Sequence, residues 1–368
     1  MSASTLKSHS SKPTLSNHPL IIKMLLSTEL EYASYGKNCS SEYSPHLENF
    51  KYLIQFFYLF CTLCLLIYFM IVLHIQHKEI YRNNMSFWIF SADSFVTIIQ
   101  ILLDISAVRL FLYVPQLCPT FSKIFINYKC LNHIIFPIYN YCRVFKTVSQ
   151  SAHILVRYSC VTNILTHEQK TSKKIPLVMG IIGFLPILVI WNTVISEKEV
   201  VFWYGGFFTV YHRYVQWASL SFLHLIFLLV AISIILLTSL LIYRELDEHQ
   251  LMNSIQKSLI INTGFVTFAL MLQAIFQSYY ALFRHYSWFP MYFIDFQFLI
   301  YDVMTVGCPI MMLIFAQNFR AHTMFGPRSK ATNASQHYPF QPFSEAIRKK
   351  TDDPPRPCNA LIFSGIPE

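Results

Sequence analysis

Seven long apolar stretches, separated by short polar connections, occupy most of the chain between residues 50 and 316. A helix that crosses the hydrocarbon core of a bilayer needs about 20 mostly apolar residues, because each residue advances it by about 1.5 Å. The pattern therefore predicts an all-α membrane protein, a seven-transmembrane helix bundle. Its spans are expected at residues 50–75, 87–114, 134–161, 175–195, 217–243, 258–283 and 291–316.

The composition agrees with a bilayer environment. Of the 368 residues, 54% are hydrophobic and only 13% are charged, whereas soluble domains carry about 25% charged residues. The formal net charge is +9, but the basic residues lie in short clusters beside the apolar stretches. That placement favours membrane topology over nucleic-acid binding. We therefore expect the lipid bilayer as a partner and no nucleic acid.

Lys and Arg near the predicted helix ends indicate the orientation, because cytoplasmic connections carry an excess of these residues. They are concentrated after the first, third, fifth and seventh spans and are sparser on the opposite side. We therefore predict an extracellular N-terminal tail at residues 1–49, a helical domain at 50–317 and a cytoplasmic C-terminal tail at 318–368. The glycosylation triplet that starts at Asn38 lies in the outer tail, where it would be accessible.

The nine cysteines do not form a regular framework. Under the predicted orientation, Cys39, Cys118 and Cys130 lie on the oxidising outer side. A Cys118–Cys130 bridge before the third span is one candidate disulfide, and Cys39 is a competing partner. Cys61 and Cys64 form a C-x-x-C pair inside the first span without a second ligand pair, so we expect no metal site.

One face of the third span is polar. Five of its polar side chains recur at steps of three or four residues and so share one face of a helix. They are Arg143, Lys146, Gln150, His153 and Arg157. Ionisable groups at bilayer depth are costly and usually face the bundle interior or a water-filled cavity. The third span is therefore predicted to be a central element of the bundle.

Acidic residues in the second and seventh spans are the expected partners of this polar face. From depth alone, Asp302 is expected to pair with Lys146, and either Asp104 or Asp295 with Arg143. Such pairs would hold the helices in register or take part in ligand binding, and the two roles are compatible. The fifth and sixth spans are almost free of charge, so we interpret them as apolar packing elements.

The candidate ligand site therefore lies among the second, third and seventh spans. Its residues are Asp104, Arg109, Tyr139, Arg143, Lys146, Asp295 and Asp302. At the cytoplasmic end, Arg157 and Tyr158 close the third span, where Arg157 could lock the helix to a neighbour, contact a partner protein or anchor the helix. Pro309 removes one backbone hydrogen bond late in the seventh span and permits a kink.

Signatures of enzymes are missing from the sequence. His167-Glu168 is not completed to the metalloprotease pattern H-E-x-x-H, because Thr171 occupies its last position. The nucleophile motif G-x-S-x-G does not occur either. We expect neither catalysis nor a cofactor.

Four short segments of the chain form motifs. The run VRLFLYVPQLCP at 108–119 is the most specific of them. The other three are FKTVSQ at 145–150, VRYSCV at 156–161, and DVMTVGCP at 302–309 followed by Arg320. Together they resemble the gamma class of nematode serpentine chemoreceptors. The resemblance covers residues 50–320 and leaves out both tails.

The resemblance implies a seven-helix receptor of the plasma membrane, in the cilium of a sensory neuron, that detects a small molecule and couples to a heterotrimeric G protein. It places Arg157, Tyr158, Pro309 and Arg320 at the signalling face. Three departures from the broader G-protein-coupled receptor pattern leave the activation step open: Val156 replaces the usual acidic residue, the second outer loop lacks cysteine and the sixth span lacks proline. The alternative to a G-protein-coupled chemosensory receptor is a seven-helix ligand-gated cation channel with inverted topology.

Overall fold

A computed structural model describes residue 39 and residues 44–76, 84–162, 174–203, 205–215, 217–248, 253–283 and 292–315. Its first helices are α1 (Pro45–Ile71), α2 (Met85–Leu103), α3 (Arg109–Tyr113), α4 (Cys118–Asn127), α5 (Lys129–Thr162) and α6 (Ile175–Ile195). Two strands follow, β1 (Lys198–Trp203) and β2 (Gly206–Tyr211), and then α7 (Leu220–Glu248), α8 (Asn253–Phe283) and α9 (Tyr292–Phe315). A π-helical turn at Asp104–Val108 joins α2 to α3, so these two form one long helix.

The described helices form the membrane-spanning bundle that the sequence predicts. Six segments have the length and hydropathy of a span: Pro45–Ile75, Met85–Tyr113, Ile175–Ile195, Leu220–Arg244, Ile261–Ala281 and Phe293–Ile314. α5 is not among them, because its polar side chains lower its hydropathy. Its 34 residues nevertheless make it longer than the hydrocarbon core is thick, at about 1.5 Å per residue. We therefore count α5 as the third span.

Side chains are distributed as a bilayer requires, with apolar groups outward and charged groups inward. Phe57 and Leu240 are each 69% exposed, and Phe184 is 58% exposed. By contrast, Arg109 and Asp104 are each only 1% exposed. Lipid can surround the apolar surface, whereas polar groups in the interior have to find partners among themselves.

α5 is the central helix of the bundle, which confirms the prediction from its polar face. It packs against α2, α6 and α7 and also reaches α8. α1 packs against α2 and α9, and α8 packs against both α7 and α9. Apolar side chains of α5 fill the contacts between its polar positions: Val148 packs with residues of α2 and α6, and Ile154 packs with residues of α7, α8 and α9.

An antiparallel hairpin made of β1 and β2 lies at one end of the bundle, which we call the hairpin end. Its register runs from Lys198 opposite Tyr211 to Trp203 opposite Gly206. Gly205, in the turn, has a φ of 86°, in the left-handed region that favours glycine. The helical periodicity did not predict these strands, since it left residues 196–216 as a connection.

The hairpin lies directly against the end of α3. A Cβ atom on Gly206 would stand 2.2 Å from the carbonyl oxygen of Leu112 and 2.6 Å from that of Phe111. Two backbones approach so closely only where one of them has no side chain. Next to this contact, the rings of Phe207 and Phe111 stack with centroids 5.1 Å apart. Glycine at position 206 therefore allows β2 to approach α3 this closely.

A disulfide joins Cys39 to Cys118 with a Cα–Cα distance of 5.9 Å. The candidate Cys118–Cys130 bridge was wrong, and the competing partner Cys39 takes its place; Cys130 is an exposed free cysteine. The reason is that α4 starts at Cys118 and runs to Asn127, so Cys130 follows beyond its far end. At about 1.5 Å per helical residue, α4 carries the chain about 14 Å away from Cys118 before Cys130 is reached, whereas a disulfide needs Cα atoms about 4.4–6.8 Å apart.

Four helices begin earlier than the apolar pattern indicated: α1, α5 and α8 by five residues each and α2 by two. α1 begins at Pro45 rather than at residue 50, and proline suits the first turn because its missing N–H would have no partner there. α5 begins at Lys129 rather than at residue 134. The division of the chain into an outer tail, a helical domain and a cytoplasmic tail stays a prediction.

Candidate functional site

A buried ion pair links the second and seventh spans near the middle of the bundle. Arg109 donates from Nη2 to Oδ1 of Asp302 at 2.5 Å and from Nη1 to Oδ2 at 2.8 Å. Tyr58 of α1 also donates to Asp302. The two parallel N–H···O bonds match the fork of the guanidinium to the carboxylate, the geometry that gives such pairs their strength. Three helices thus meet at this carboxylate.

The π-helical turn at Asp104–Val108 brings a second carboxylate to the same arginine. In this turn the backbone N–H of Arg109 bonds to the carbonyl of Asp104, five residues earlier. Residues five apart therefore share a face here, which they do not in an α-helix. Nε of Arg109 lies 3.5 Å from Oδ1 of Asp104. π turns inside α-helices are frequent at functional sites.

Tyr139 and Arg143 extend this network onto α5. The Tyr139 hydroxyl donates to Oδ1 of Asp104 at 2.6 Å and accepts a hydrogen bond from Nη2 of Arg143. The guanidinium of Arg143 lies over the rings of Tyr139 and Tyr301, 4.2 and 4.0 Å from their centroids. Nε of Arg143 has no hydrogen-bond partner among the described residues.

The ion pairs predicted from depth were wrong, although the residues involved are buried as expected. Asp302 pairs with Arg109 rather than with Lys146, whose Nζ lies 3.7 Å from Asp93 and donates to Thr97 at 2.7 Å. Neither predicted acid forms a direct ion pair with Arg143. Depth gives the level of a side chain but not the rotation of its helix, and Lys146 faces α2 rather than α9.

The other predicted partner, Asp295, lies apart from this network. Asp295 lies at the start of the seventh span. Its carboxylate is 2.9 Å from Nζ of Lys51 of α1 and accepts a hydrogen bond from the Tyr113 hydroxyl. This contact ties α1, α3 and α9 together.

A cavity of about 210 Å³ lies between this network and the hairpin, and we call it the hairpin cavity. Residues of α3, α5, β2, α7, α8 and α9 line it. Its wall is rich in aromatic residues, which include Phe111, Phe207, Phe298 and Tyr301. Among the seven residues predicted for a ligand site, Tyr139 and Arg143 line the cavity. Asp104, Arg109 and Asp302 lie behind them and hold their positions.

Two polar residues of this wall were missed by the sequence analysis. His224 of α7 is 3% exposed, and its Nε2 has no partner among the described residues. Gln277 of α8 donates to the Tyr301 hydroxyl at 2.7 Å. The interpretation of the fifth and sixth spans as purely apolar packing elements was therefore wrong. The available signals were a single histidine in the fifth span and two glutamines four residues apart, Gln273 and Gln277, in the sixth.

A second, smaller cavity of about 50 Å³ lies further along α5, away from the hairpin. Asp93, Lys146, Gln150, His153 and Pro309 are among its lining residues. The carboxylate of Asp93 accepts two hydrogen bonds there. Gln150 donates to it from Nε2 at 3.2 Å, and the Ser149 hydroxyl also donates to it. The polar face of α5 therefore serves both cavities, and Lys146 belongs to the second.

The residues predicted for the signalling face are described only in part. Arg157 and Tyr158 lie in the last turns of α5, but the side chain of Arg157 is outside the described residues. Pro309 lies inside α9. Arg320 and the glycosylation candidate Asn38 are also outside the described residues. In the part of the chain that is described, no cluster of His, Cys, Asp and Glu could hold a metal ion.

Comparison with known proteins gives consistent matches over the helical region. The model of the Srg family of chemoreceptors matches residues 52–323, which include both cavities. Serpentine receptor class gamma-7 of Caenorhabditis elegans is 53% identical over 296 residues, covering 80% of this chain and 87% of that protein. Serpentine receptor class gamma-5 of the same organism is 33% identical over 293 residues, covering 79% and 90%. These matches agree with the motif resemblance.

Proposed function

This chain belongs to the Srg family of chemoreceptors, and we propose that a small external molecule binds in its hairpin cavity and triggers a signal across the plasma membrane. The observation that carries this proposal is the cavity itself, with its aromatic wall and the buried Arg143. Concave, mostly apolar sites with a few convergent polar groups are typical of small-molecule binding.

Two observations support an extracellular hairpin end. The Cys39–Cys118 disulfide lies there, and disulfides persist in oxidising environments such as the cell exterior. The clusters of Lys and Arg beside the apolar spans favour the opposite end as cytoplasmic. A ligand would then reach the hairpin cavity from outside, at a plasma membrane that the family resemblance assigns to a sensory cilium.

Signalling requires that ligand binding shift an equilibrium between two arrangements of the helices. α5 is suited to this role because its polar face lines the hairpin cavity at Arg143 and the second cavity at Lys146. A small rotation or translation of α5 would alter the contacts of Lys146 with Asp93 and Thr97. We propose that the altered inner end of the bundle activates a heterotrimeric G protein.

A ligand screen on cells that express the full chain tests this proposal. Compounds that raise calcium in these cells, but not in cells without the receptor, would then be applied to isolated membranes together with G proteins. We expect them to accelerate guanine-nucleotide exchange. A ligand-evoked cation current without nucleotide exchange, combined with a C-terminal tag accessible from outside intact cells, would instead support the ligand-gated channel with inverted topology.

A further inference from the structure

We propose that the hairpin cavity takes a small, largely apolar molecule that ends in a carboxylate, and that this carboxylate binds to Arg143. The inference rests on the proposed function, because it assumes that this cavity is the ligand site. It concerns the charge of the ligand. The residues that line the cavity, rather than the fold, determine which charge the cavity accepts.

Arg143 gives the hairpin cavity its charge. It is the only Lys, Arg, Asp or Glu among the described lining residues, and it is 9% exposed. Arg109 and Lys146 have carboxylates in direct contact, Arg109 those of Asp302 and Asp104 and Lys146 that of Asp93. No acidic side chain in the described chain forms a direct ion pair with Arg143. A buried cation without an adjacent anion is costly, and a bound anion would relieve that cost.

Arg143 has a hydrogen-bonding atom that no described residue uses. Its guanidinium lies over the rings of Tyr139 and Tyr301, 4.2 and 4.0 Å from their centroids. One of its N–H groups donates to the Tyr139 hydroxyl, and Nε has no acceptor among the described residues. A guanidinium has five N–H donors in one plane, and a carboxylate can take two of them in parallel. The planar shape of the group thus favours a carboxylate.

His224 offers a second polar atom without a described partner at the same cavity. Its Nε2 is buried without a partner among the described residues, and a neutral imidazole can donate from one ring nitrogen. A buried donor that lacks an acceptor carries a desolvation cost. An acceptor-rich group such as a carboxylate would satisfy both Arg143 and His224, which come from different helices, α5 and α7.

The nearest acidic residue does not replace such a ligand. Asp104 is 1% exposed and does not line the cavity. Its charge is shared with Arg109 at 3.5 Å and is separated from Arg143 by the Tyr139 hydroxyl. The cavity therefore presents a cation to its contents, and an amine would meet repulsion there.

The remaining lining residues and the volume of the cavity determine the polarity and size of the rest of the ligand. Phe111, Phe207 and Phe298 offer ring surfaces without hydrogen-bonding groups. The volume of about 210 Å³ lies below the range of about 300–1,000 Å³ that is usual for drug-sized ligands. A short aliphatic chain or one aromatic ring suits this space.

Thermal unfolding of the purified full-length receptor in lipid nanodiscs tests the inference. Octanoic acid and phenylbutanoic acid are compared with their methyl esters and with octylamine and phenylbutylamine. We expect the acids to raise the unfolding midpoint at concentrations at which the esters and amines have no effect. In Arg143→Gln the half-saturating concentration of each acid should rise by about tenfold or more. Lys123→Gln removes an exposed cation outside the cavity and should change nothing.

If Arg143→Gln does not fold, the comparison of acids with esters in the wild-type protein decides by itself, and Arg143→Lys supplies a variant that keeps the charge. Esters that bind as tightly as the acids, tighter binding of the amines, or no stabilisation by either acid would each overturn the inference. If an ester or amine binds the wild-type receptor but not Ser221→Phe, which fills the cavity, the cavity remains the ligand site and only its proposed preference for acids fails.

Discussion

At the scale of single residues, the interior depends on how each cation is compensated. Arg109 contacts two carboxylates, those of Asp302 and Asp104, whereas Arg143 contacts a hydroxyl and aromatic rings. The sequence predicted that these side chains face inward, because ionisable groups cannot face lipid. It could not choose their partners, because the choice depends on the rotation of each helix, and the π-helical turn at Asp104–Val108 changes that rotation locally.

Arg109→Met should destabilise the receptor, because it leaves the carboxylate of Asp302 buried without its cation. Removing one partner of a buried ion pair costs about 3–5 kcal/mol of folding free energy. The double variant Arg109→Met/Asp302→Leu removes both charges of this pair and should recover part of the loss, since Asp104 also loses its contact with Arg109 but keeps the hydrogen bond from Tyr139. The unfolding midpoint of the purified receptor and its surface expression measure both effects. Equal losses in the single and double variants would show that the pair does not act as a unit.

The disulfide gives a second prediction for single residues. Cys39→Ser and Cys118→Ser should lower the stability of the receptor by the same amount, because each breaks the same bond; the typical loss is about 2–4 kcal/mol. Cys130→Ser is the matched control and should have no effect, since Cys130 is exposed and unpaired in the described chain. Thermal unfolding and thiol labelling without reductant measure the result. Destabilisation by Cys130→Ser, with none by Cys39→Ser, would restore the Cys118–Cys130 pairing.

At the scale of elements, the membrane-spanning helices were predictable, whereas the short helix α4 and the hairpin were not. Apolar runs of about 20 residues identify spans whatever their partners, and α5 was recognised from its polar face. β1 and β2 each have six residues and lie in a connection between two spans, so their pairing leaves no long periodic signal. The contribution of α7 to the hairpin cavity was missed because His224 is a single polar residue in its apolar span. On α8 the signal was short, since it consisted of Gln273 and Gln277, two buried glutamines four residues apart on one face of the helix.

Gly206→Ala should displace the hairpin from α3, because the added Cβ would stand 2.2 Å from the Leu112 carbonyl oxygen. The backbone there cannot move aside as a flexible side chain could. We expect a weaker response to any agonist of the hairpin cavity, with a lower unfolding midpoint. Gly180→Ala is the control, since its added Cβ would meet no atom of another helix or strand within 4 Å. An unchanged dose–response curve for Gly206→Ala would mean that the position of the hairpin does not affect the ligand site.

At the scale of the whole molecule, the bundle places its polar groups along one central helix. The hairpin cavity and the second cavity are both lined by α5, while the outward surfaces of α1, α6 and α7 are apolar. This arrangement fits a protein that binds a ligand at one end of the bundle and changes its helix contacts at the other. Such coupling through α5 does not require a continuous polar path between the two cavities. The family assignment and the geometry of the hairpin cavity lead to the same expectation, a receptor for a small molecule.

The central claim is that the ligand binds in the hairpin cavity, and the dose–response of Ser221→Phe tests it most directly. Ser221 lines the cavity from α7, so a phenyl ring there would fill part of its volume. Ser233→Phe makes the same change on the same helix at an exposed position, where the serine hydroxyl donates to the Leu229 carbonyl of its own helix. We predict that Ser221→Phe raises the half-maximal agonist concentration by about tenfold or more at unchanged surface expression, and that Ser233→Phe leaves it unaltered. Identical curves for Ser221→Phe and the wild-type receptor would contradict the account.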